Sequence, residues 1–351
     1  MNKKKIKLVW IGSGFVSQVA HLSNFYSLPN VEIVAIAELR KDIAMKSCQR
    51  FNIKKYYSDY KEMLKKEKYD GVVLIVRRYQ TAPIAYYILN SKKHLFTEKP
   101  MAPTYDQAKL LVDTAKKNKC MYSTGLMRRH DDGIKYALNL IKNLNRTNKF
   151  GKFINYRYSC IAGGDYCNIE GFFPSKKKIS TKRDWPTNPQ WLEKKYEKEY
   201  EKFLNYFIHN FNLLRYLFGE VENVKNISIG KDFGSLNLNH KNYNGTFDYT
   251  YLNNNDWIEK IEIYYEKYNV LIDIPPAFLK NITCKIEIKD HSNGKIIKPV
   301  IPYSWSFKNQ AESFVNSLRN KKLKNEFSGS DSLLDIKLID NIWKKKIYQL
   351  D

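Results

Sequence analysis

Within the first 150 residues, short apolar runs alternate with segments of helical periodicity, and this alternation restricts the fold more than any other feature. Ile6 to Ile11 reads as a buried strand that stops at Gly12-Ser13-Gly14, and a helix follows from Phe15 to Tyr26, closed by Pro29. Val31 to Ala37 is a second strand, ending on Glu38. The rhythm continues with helix 42–51, a short Tyr56-Tyr57 segment, helix 59–66, strand Gly71 to Val76 and helix 82–91. Strand 94–97, helix 105–118, strand 120–126 and helix 132–144 complete it. Strands separated by helices cannot pair as hairpins, so the pattern predicts an α/β fold with a doubly wound parallel sheet covered on both faces.

From about Lys152 the pattern changes. Phe153 to Ala162 is followed by strands at 221–229, 245–252, 257–265, 268–274, 282–289 and 295–300, without helices between them. Consecutive strands of this kind predict an open, mostly antiparallel sheet in an α+β unit. Asn188-Pro189 reads as an N-cap with proline at the first helical position. The helical stretch behind it begins charged (EKKYEKEYEK), continues apolar (FLNYFIHNFNLLRYLFG) and stops at Gly219. A chain of 351 residues has room for two cores, and the change of pattern predicts units at 1–128 and 129–351.

Composition narrows the class. No apolar run approaches the roughly 18 residues of a membrane span, and MNKKKIKLVWIG leads straight into a strand instead of a signal peptide. The five cysteines form no CxxC pair, which predicts a reduced, cytoplasmic chain with no metal site. The net charge of +24 invites a nucleic-acid reading, but only 11 of the 60 basic residues are arginine and the lysines are scattered along the whole chain. No specific nucleic-acid partner and no membrane partner is expected.

The chemistry concentrates at strand ends. Gly12-x-Gly14 permits a tight turn and close approach of a pyrophosphate to a helix N-terminus. Ser17 replaces the third glycine of that motif, which predicts looser helix–strand packing. Glu38 stands where a carboxylate would bond ribose hydroxyls and repel a 2′-phosphate, favouring NAD over NADP, although Arg40 beside it is placed to meet such a phosphate or stack on adenine. In LFTEKPMA, residues 95–102, a strand ends on Glu98-Lys99-Pro100, and proline holds Lys99 at a defined turn, with a cis bond one way of doing so. Thr104-x-x-Gln107 behind it reads as a capping box. Asn205, His209, Asn212 and Tyr216 fall on one face of the apolar helix, and an aligned polar stripe points to a ligand cleft.

Together, Gly12-x-Gly14, Glu38, Glu98-Lys99-Pro100 and Asn205-x-x-x-His209-x-x-Asn212 ahead of Gly219 resemble the glucose–fructose oxidoreductase, inositol dehydrogenase and rhizopine catabolism (Gfo/Idh/MocA) family. Phe307-x-x-Gln310-x-x-x-Phe314 and Ser328-Gly329-x-Asp331 are similar to its C-terminal segment, which returns toward the first domain, so the likeness extends over nearly the whole chain. The resemblance implies a Rossmann domain joined to an α+β domain that forms homodimers or homotetramers through its open sheet. It implies hydride transfer between nicotinamide and a hydroxyl or keto carbon of a sugar, cyclitol or nucleotide-sugar. Lys99 would relay the hydroxyl proton and His209 would be the general base, with Asn205 beside it. Cofactor contacts are implied for Gly12, Gly14, Phe15, Val16, Glu38, Leu39, Arg40, Val76, Arg77, Glu98 and Lys99. Substrate contacts are implied for Arg129, Tyr166, Asn205, His209 and Asn212.

Two departures qualify that likeness. Asn205 stands where the family commonly has Asp, and Arg77-Arg78-Tyr79 where it commonly has a Thr-Pro-Asn loop. With Arg128-Arg129, those arginines crowd one sheet edge in this reading, where they would clamp a carboxylate or phosphate. Tyr166, Trp185 and Trp191 are expected in a sugar-stacking wall. A non-catalytic NAD-binding regulator and a NAD-dependent glycosidase are the competing readings.

Overall fold

The computed structural model describes residues 4–163, 171–177, 179–254, 256–321 and 328–348. The chain divides into two compact units, and three passes replace a single cut near residue 128. The first comprises Met1–Leu126, Ile169–Ile208 and Gln310–Lys337; the second comprises Met127–Asn168, His209–Asn309 and Leu338–Asp351.

The first unit holds a six-stranded sheet built from β1 (Ile6–Ile11), β2 (Val31–Ala37), β3 (Tyr56–Tyr57), β4 (Gly71–Leu74), β5 (Leu95–Glu98) and β6 (Tyr122–Gly125). Its order is β3-β2-β1-β4-β5-β6 and every pair is parallel, which is the Rossmann order with its switch point between β1 and β4. A π-helical turn, Ser17–Leu22, precedes α1 (Ser23–Tyr26), and α2 (Lys41–Arg50), α3 (Tyr60–Lys66), α4 (Arg78–Asn90) and α5 (Tyr105–Lys117) follow. Thr104 caps α5 by accepting from the Gln107 N–H, but the Gln107 amide donates to the Pro186 carbonyl, so only half of the capping box forms. The strands are buried because helices cover both faces, hence their near-continuous apolar runs. Trp10, Phe25, Phe96 and Phe314 pack edge to face, with Phe314 supplied by the returning C-terminal segment.

The second unit contains α6 (Asp132–Thr147) and an eight-stranded sheet. Its strands are β7 (Phe153–Ala162), β8 (Val221–Ile229), β9 (Phe233–His240), β10 (Asn244–Tyr251), β11 (Trp257–Tyr265), β12 (Tyr268–Asp273), β13 (Lys285–Asp290) and β14 (Lys295–Ile297). The order is β14-β13-β12-β11-β7-β10-β9-β8, antiparallel except where β10 runs parallel to β7. Strand β9 is absent from the sequence reading, because its Gly, Ser and Asn residues have low strand propensity; only the alternation of Leu236 and Leu238 marks it. Helix α7 (Glu197–Phe218) starts after a 3-10 turn at Lys194–Tyr196 and not at Asn188-Pro189. Helices α8 (Ser306–Arg319) and α9 (Gly329–Tyr348) complete the chain. Among the described residues no helix is long and apolar enough to cross a membrane.

Candidate functional site

Everything in this first group lies within the first unit. At the end of β1 the backbone turns through Gly12 with φ +89°, and a Cβ there would sit 2.1 Å from the Ile75 carbonyl oxygen. Only glycine fits. Gly14 is different, since nothing lies within 4 Å of the Cβ it lacks. The space in front of it is open for close approach to the backbone. Ser17 does not loosen the packing as its replacement of glycine suggests. Its buried hydroxyl donates to the Gly12 carbonyl (2.7 Å) and accepts from Trp10 Nε1 (2.8 Å), tying turn, strand and helix together.

A cavity of about 500 Å³ opens over this turn. Gly12, Gly14, Phe15 and Val16 line it from the β1 side, Glu38, Leu39 and Arg40 from the end of β2, and Val76 and Arg77 from beyond β4. Glu38 is buried and well supplied with donors: the Ser13 N–H (2.8 Å), and Arg40 through its own N–H, Nε (2.8 Å) and Nη2 (3.0 Å). Burial alone would raise the Glu38 carboxyl, but hydrogen bonds from Arg40 and Ser13 outweigh it and hold it below its ordinary range. The glycines, the open backbone and a carboxylate at the second strand end fit a dinucleotide.

Sequence reasoning missed a covering segment. Gln18 clasps the Phe173 backbone, donating to its carbonyl and accepting from its N–H (2.8 Å), while Phe172 packs edge to face on Phe15. Farther on, the Ile179 carbonyl accepts from Arg77, and Tyr79 shares a 2.7 Å hydrogen bond with Thr181. Ile179 and Thr181 thereby line the dinucleotide cavity. Such attachment rests on isolated side-chain contacts, which leave no periodic trace in sequence.

A second cavity, of about 480 Å³, holds Glu98 and Lys99. The Lys99-Pro100 bond is cis. Glu98 is fixed at both oxygens, to the buried His21 Nε2 (2.7 Å) and to the Lys99 N–H (2.9 Å). A Cβ at Gly125 would come within 2.9 Å of the Glu98 carboxylate, so glycine there makes room for it. His21 was not anticipated. Lys99 Nζ donates to the Asn205 carbonyl (2.8 Å) and lies 3.4 Å from Asn205 Oδ1. Burial pushes its ammonium down to about 8, opposed by the Glu98 charge and assisted by Arg78. An amine in that range exchanges a proton near neutral pH. The same cavity is lined by Arg78, Tyr79, Arg183, Tyr200 and Glu201.

Trp185 and Trp191 line neither cavity. Trp185 packs on Tyr86 and Trp191 on Tyr200, so both serve packing. Tyr166 lies outside the described residues.

In the second unit, His209 is half-buried on α7 and Asn212 fully buried. Arg129 is buried too, with Nε (3.2 Å) and Nη2 (2.8 Å) on the Asn212 carbonyl and its guanidinium over the Tyr216 ring. Arg128 pairs with Glu259 and donates to the Pro275 carbonyl. Glu259 also accepts from Tyr158 (2.6 Å) and Asn210. Arg128 and Arg129 are thus internal braces of the second unit.

Residues 6–126 match the family model for the oxidoreductase family with NAD-binding Rossmann fold (GFO_IDH_MocA). Inositol 2-dehydrogenase of Salmonella typhimurium is 30% identical over 139 residues, which are 39% of this chain and 41% of that enzyme. Myo-inositol 2-dehydrogenase of Thermotoga maritima is 22% identical over 210 residues, 60% of this chain and 54% of that one. The chain therefore spans only about two fifths to one half of the length of these relatives. Likeness of fold reaches farther. A Desulfitobacterium hafniense oxidoreductase described as NADPH-dependent superposes with TM-score 0.78 at 15% identity, over 99% of this chain and 97% of that one. An Agrobacterium radiobacter oxidoreductase in complex with NAD+, L-tartaric acid and magnesium gives 0.72 at 15% identity, over 99% and 98%. A 3-ketoreductase of Actinomadura kijaniata in complex with NADP and TDP-benzene gives 0.73 at 15% identity, over 97% and 98%.

Proposed function

We propose that the chain, whose residues 6–126 match the family model of NAD-binding Rossmann oxidoreductases (GFO_IDH_MocA), moves a hydride between NAD and a hydroxyl or keto carbon of a sugar, cyclitol or nucleotide-sugar. The observation that carries this reading is Lys99, held at the carboxyl end of the Rossmann sheet with its ammonium lowered to about 8. Bound nicotinamide would supply the hydride chemistry. Gly12, Gly14 and Glu38 would hold the dinucleotide. Glu98, locked by His21, fixes the backbone from which Lys99 reaches out. Neutral Lys99 would take the hydroxyl proton as the carbon is oxidised, and His209, one helical turn beyond Asn205, would serve as the base that receives it. The sugar and cyclitol classes are supported by the inositol dehydrogenases that match the N-terminal unit. Turnover of Lys99 and His209 variants, developed in the Discussion, tests the assignment.

NAD is the preferred dinucleotide in this account, because Arg40 is turned onto Glu38 at both carboxylate oxygens. A 2′-phosphate would meet that carboxylate and would have to draw Arg40 away. Glu38→Ser should free Arg40 and narrow the gap between NAD and NADP affinities by about tenfold, the scale of one charge-assisted hydrogen bond. Fluorescence titration with both dinucleotides reads it, and an unchanged ratio would remove Glu38 from cofactor selection.

Assembly through the open face of the eight-stranded sheet, as homodimer or homotetramer, belongs to the same proposal. Ile154 on β7, 52% exposed, is one apolar residue such an interface would cover. Sedimentation equilibrium should give twice or four times the chain mass; a monomer at micromolar concentration would exclude it.

A further inference from the structure

Resting on the oxidoreductase reading of the Lys99 cavity, we propose that the substrate carries an anionic group, a phosphate or a carboxylate, held there by Arg78 and Arg183. Three guanidinium groups line this cavity beside Lys99: Arg77, Arg78 and Arg183. Their contacts are with neutral groups. Arg77 Nη1 donates to the Ile179 carbonyl (3.2 Å) and the Tyr79 hydroxyl (3.3 Å), and Arg78 Nη1 to the Glu201 carbonyl (2.9 Å). The Arg183 guanidinium lies over the Tyr79 ring, 5.2 Å from its centroid. Among the described residues none of the three forms an ion pair with a carboxylate. Glu98 is engaged by His21 and by the Lys99 N–H, and Glu201 offers Arg78 its carbonyl.

A guanidinium carries five donors, so most of this set is left for a ligand. Three cations without an ion-pair partner around one cavity repel each other, an anion joining them relieves that repulsion, and Arg meets phosphate or carboxylate with two parallel hydrogen bonds. Helix α4 adds to the field: it begins at Arg78, and no side chain caps it. Hydrogen bonds from Thr181 and Arg77 hold the Tyr79 hydroxyl below its ordinary value, with the charges of Arg77 and Arg183 acting in the same direction.

The anion belongs to the substrate and not to the cofactor. Arg77 lines both cavities, but Arg78 and Arg183 line only the one containing Lys99. A neutral cyclitol would leave these two arginines without a counter-charge, whereas a phosphorylated, nucleotide-linked or acidic sugar would supply one.

The test uses inorganic pyrophosphate, titrated calorimetrically into the full chain already saturated with NAD+. Pyrophosphate should bind, and Arg78→Gln and Arg183→Gln should each weaken it by about tenfold, while Arg146→Gln on the exposed face of α6 leaves it unchanged. Equal affinity in wild type and both variants would overturn the inference, as would pyrophosphate binding that disappears when NAD+ saturates. Glucose, glucose 6-phosphate and glucuronate in the same titration separate the two anions: tighter binding of either charged sugar supports the inference, and a preference for neutral glucose overturns it. Fluorescence titration of NAD+ is run on the same samples. Failure of NAD+ to bind would defeat the oxidoreductase reading itself, while the arginine dependence of pyrophosphate would still be legible.

Discussion

Lys99→Ala is expected to lower turnover on the true substrate by on the order of 10²-fold or more, the contribution of a positioned proton-transfer group. His209→Ala should do the same, and NAD affinity should fall less in either variant. The pH profile carries the finer test. In the proposed mechanism oxidation requires Lys99 to be neutral, and burial brings its ammonium down to about 8. Its neutral fraction grows as pH rises through that value, so kcat/KM for oxidation should climb along a limb near 8 and then level off. In the reducing direction the ammonium is the useful form, and the rate should fall through the same limb. Lys99→Arg keeps the charge but does not deprotonate in the accessible range, so its limb should vanish. Asn205→Asp puts a carboxylate where Oδ1 now lies 3.4 Å from Nζ. That charge favours the ammonium, and favours the imidazolium of His209 on the next turn, so the limb should move upward. A shift of about one unit corresponds to roughly 1.4 kcal/mol. An unmoved limb in Asn205→Asp would mean that position 205 does not act on the proton-transfer groups.

Gly12→Ala should damage both fold and cofactor binding. The added methyl would sit 2.1 Å from the Ile75 carbonyl oxygen, at φ +89°, so β1 and β4 must separate or the turn must rebuild. A cost of about 3 kcal/mol or more is expected, with NAD affinity reduced by on the order of 10²-fold, about the same free energy. Gly14→Ala provides the contrast, because its Cβ meets no protein atom within 4 Å. Stability should hardly change, while NAD affinity should fall where the methyl intrudes on the pyrophosphate. Urea denaturation and NAD titration of both variants measure this. Equal stability losses would show that the two glycines do the same job, contrary to the geometry.

The Rossmann unit was legible because its strands are buried on both faces and its strand ends bear chemistry. Gly12, Glu38 and Glu98-Lys99-Pro100 each occupy the end of a parallel strand, where apolar run gives way to loop. What escaped the sequence depends on partners far along the chain. His21 gains meaning only from Glu98, and its side chain is presented by a π-helical turn that periodicity at 3.6 residues does not describe. Arg128 looked like a free cation until Glu259 was placed beside it. Strand β9 was hidden by polar residues, and the start of α7 moved from Asn188 to Glu197 because a favourable cap sequence does not require a helix behind it. The segment over the dinucleotide cavity is attached through Gln18, Arg77 and Tyr79, which belong to other elements.

The most direct test of the central claim is NADH formation, followed at 340 nm, when the full chain and NAD+ are given fractionated cell extract rich in sugars, sugar phosphates and nucleotide-sugars. Wild type should reduce NAD+ with at least one fraction, and Lys99→Ala, shown by titration to bind NAD+, should do so on the order of 10²-fold more slowly. Equal rates in the two proteins would contradict the account, and so would a wild type that binds NAD+ but reduces it with no fraction, the behaviour of a regulator.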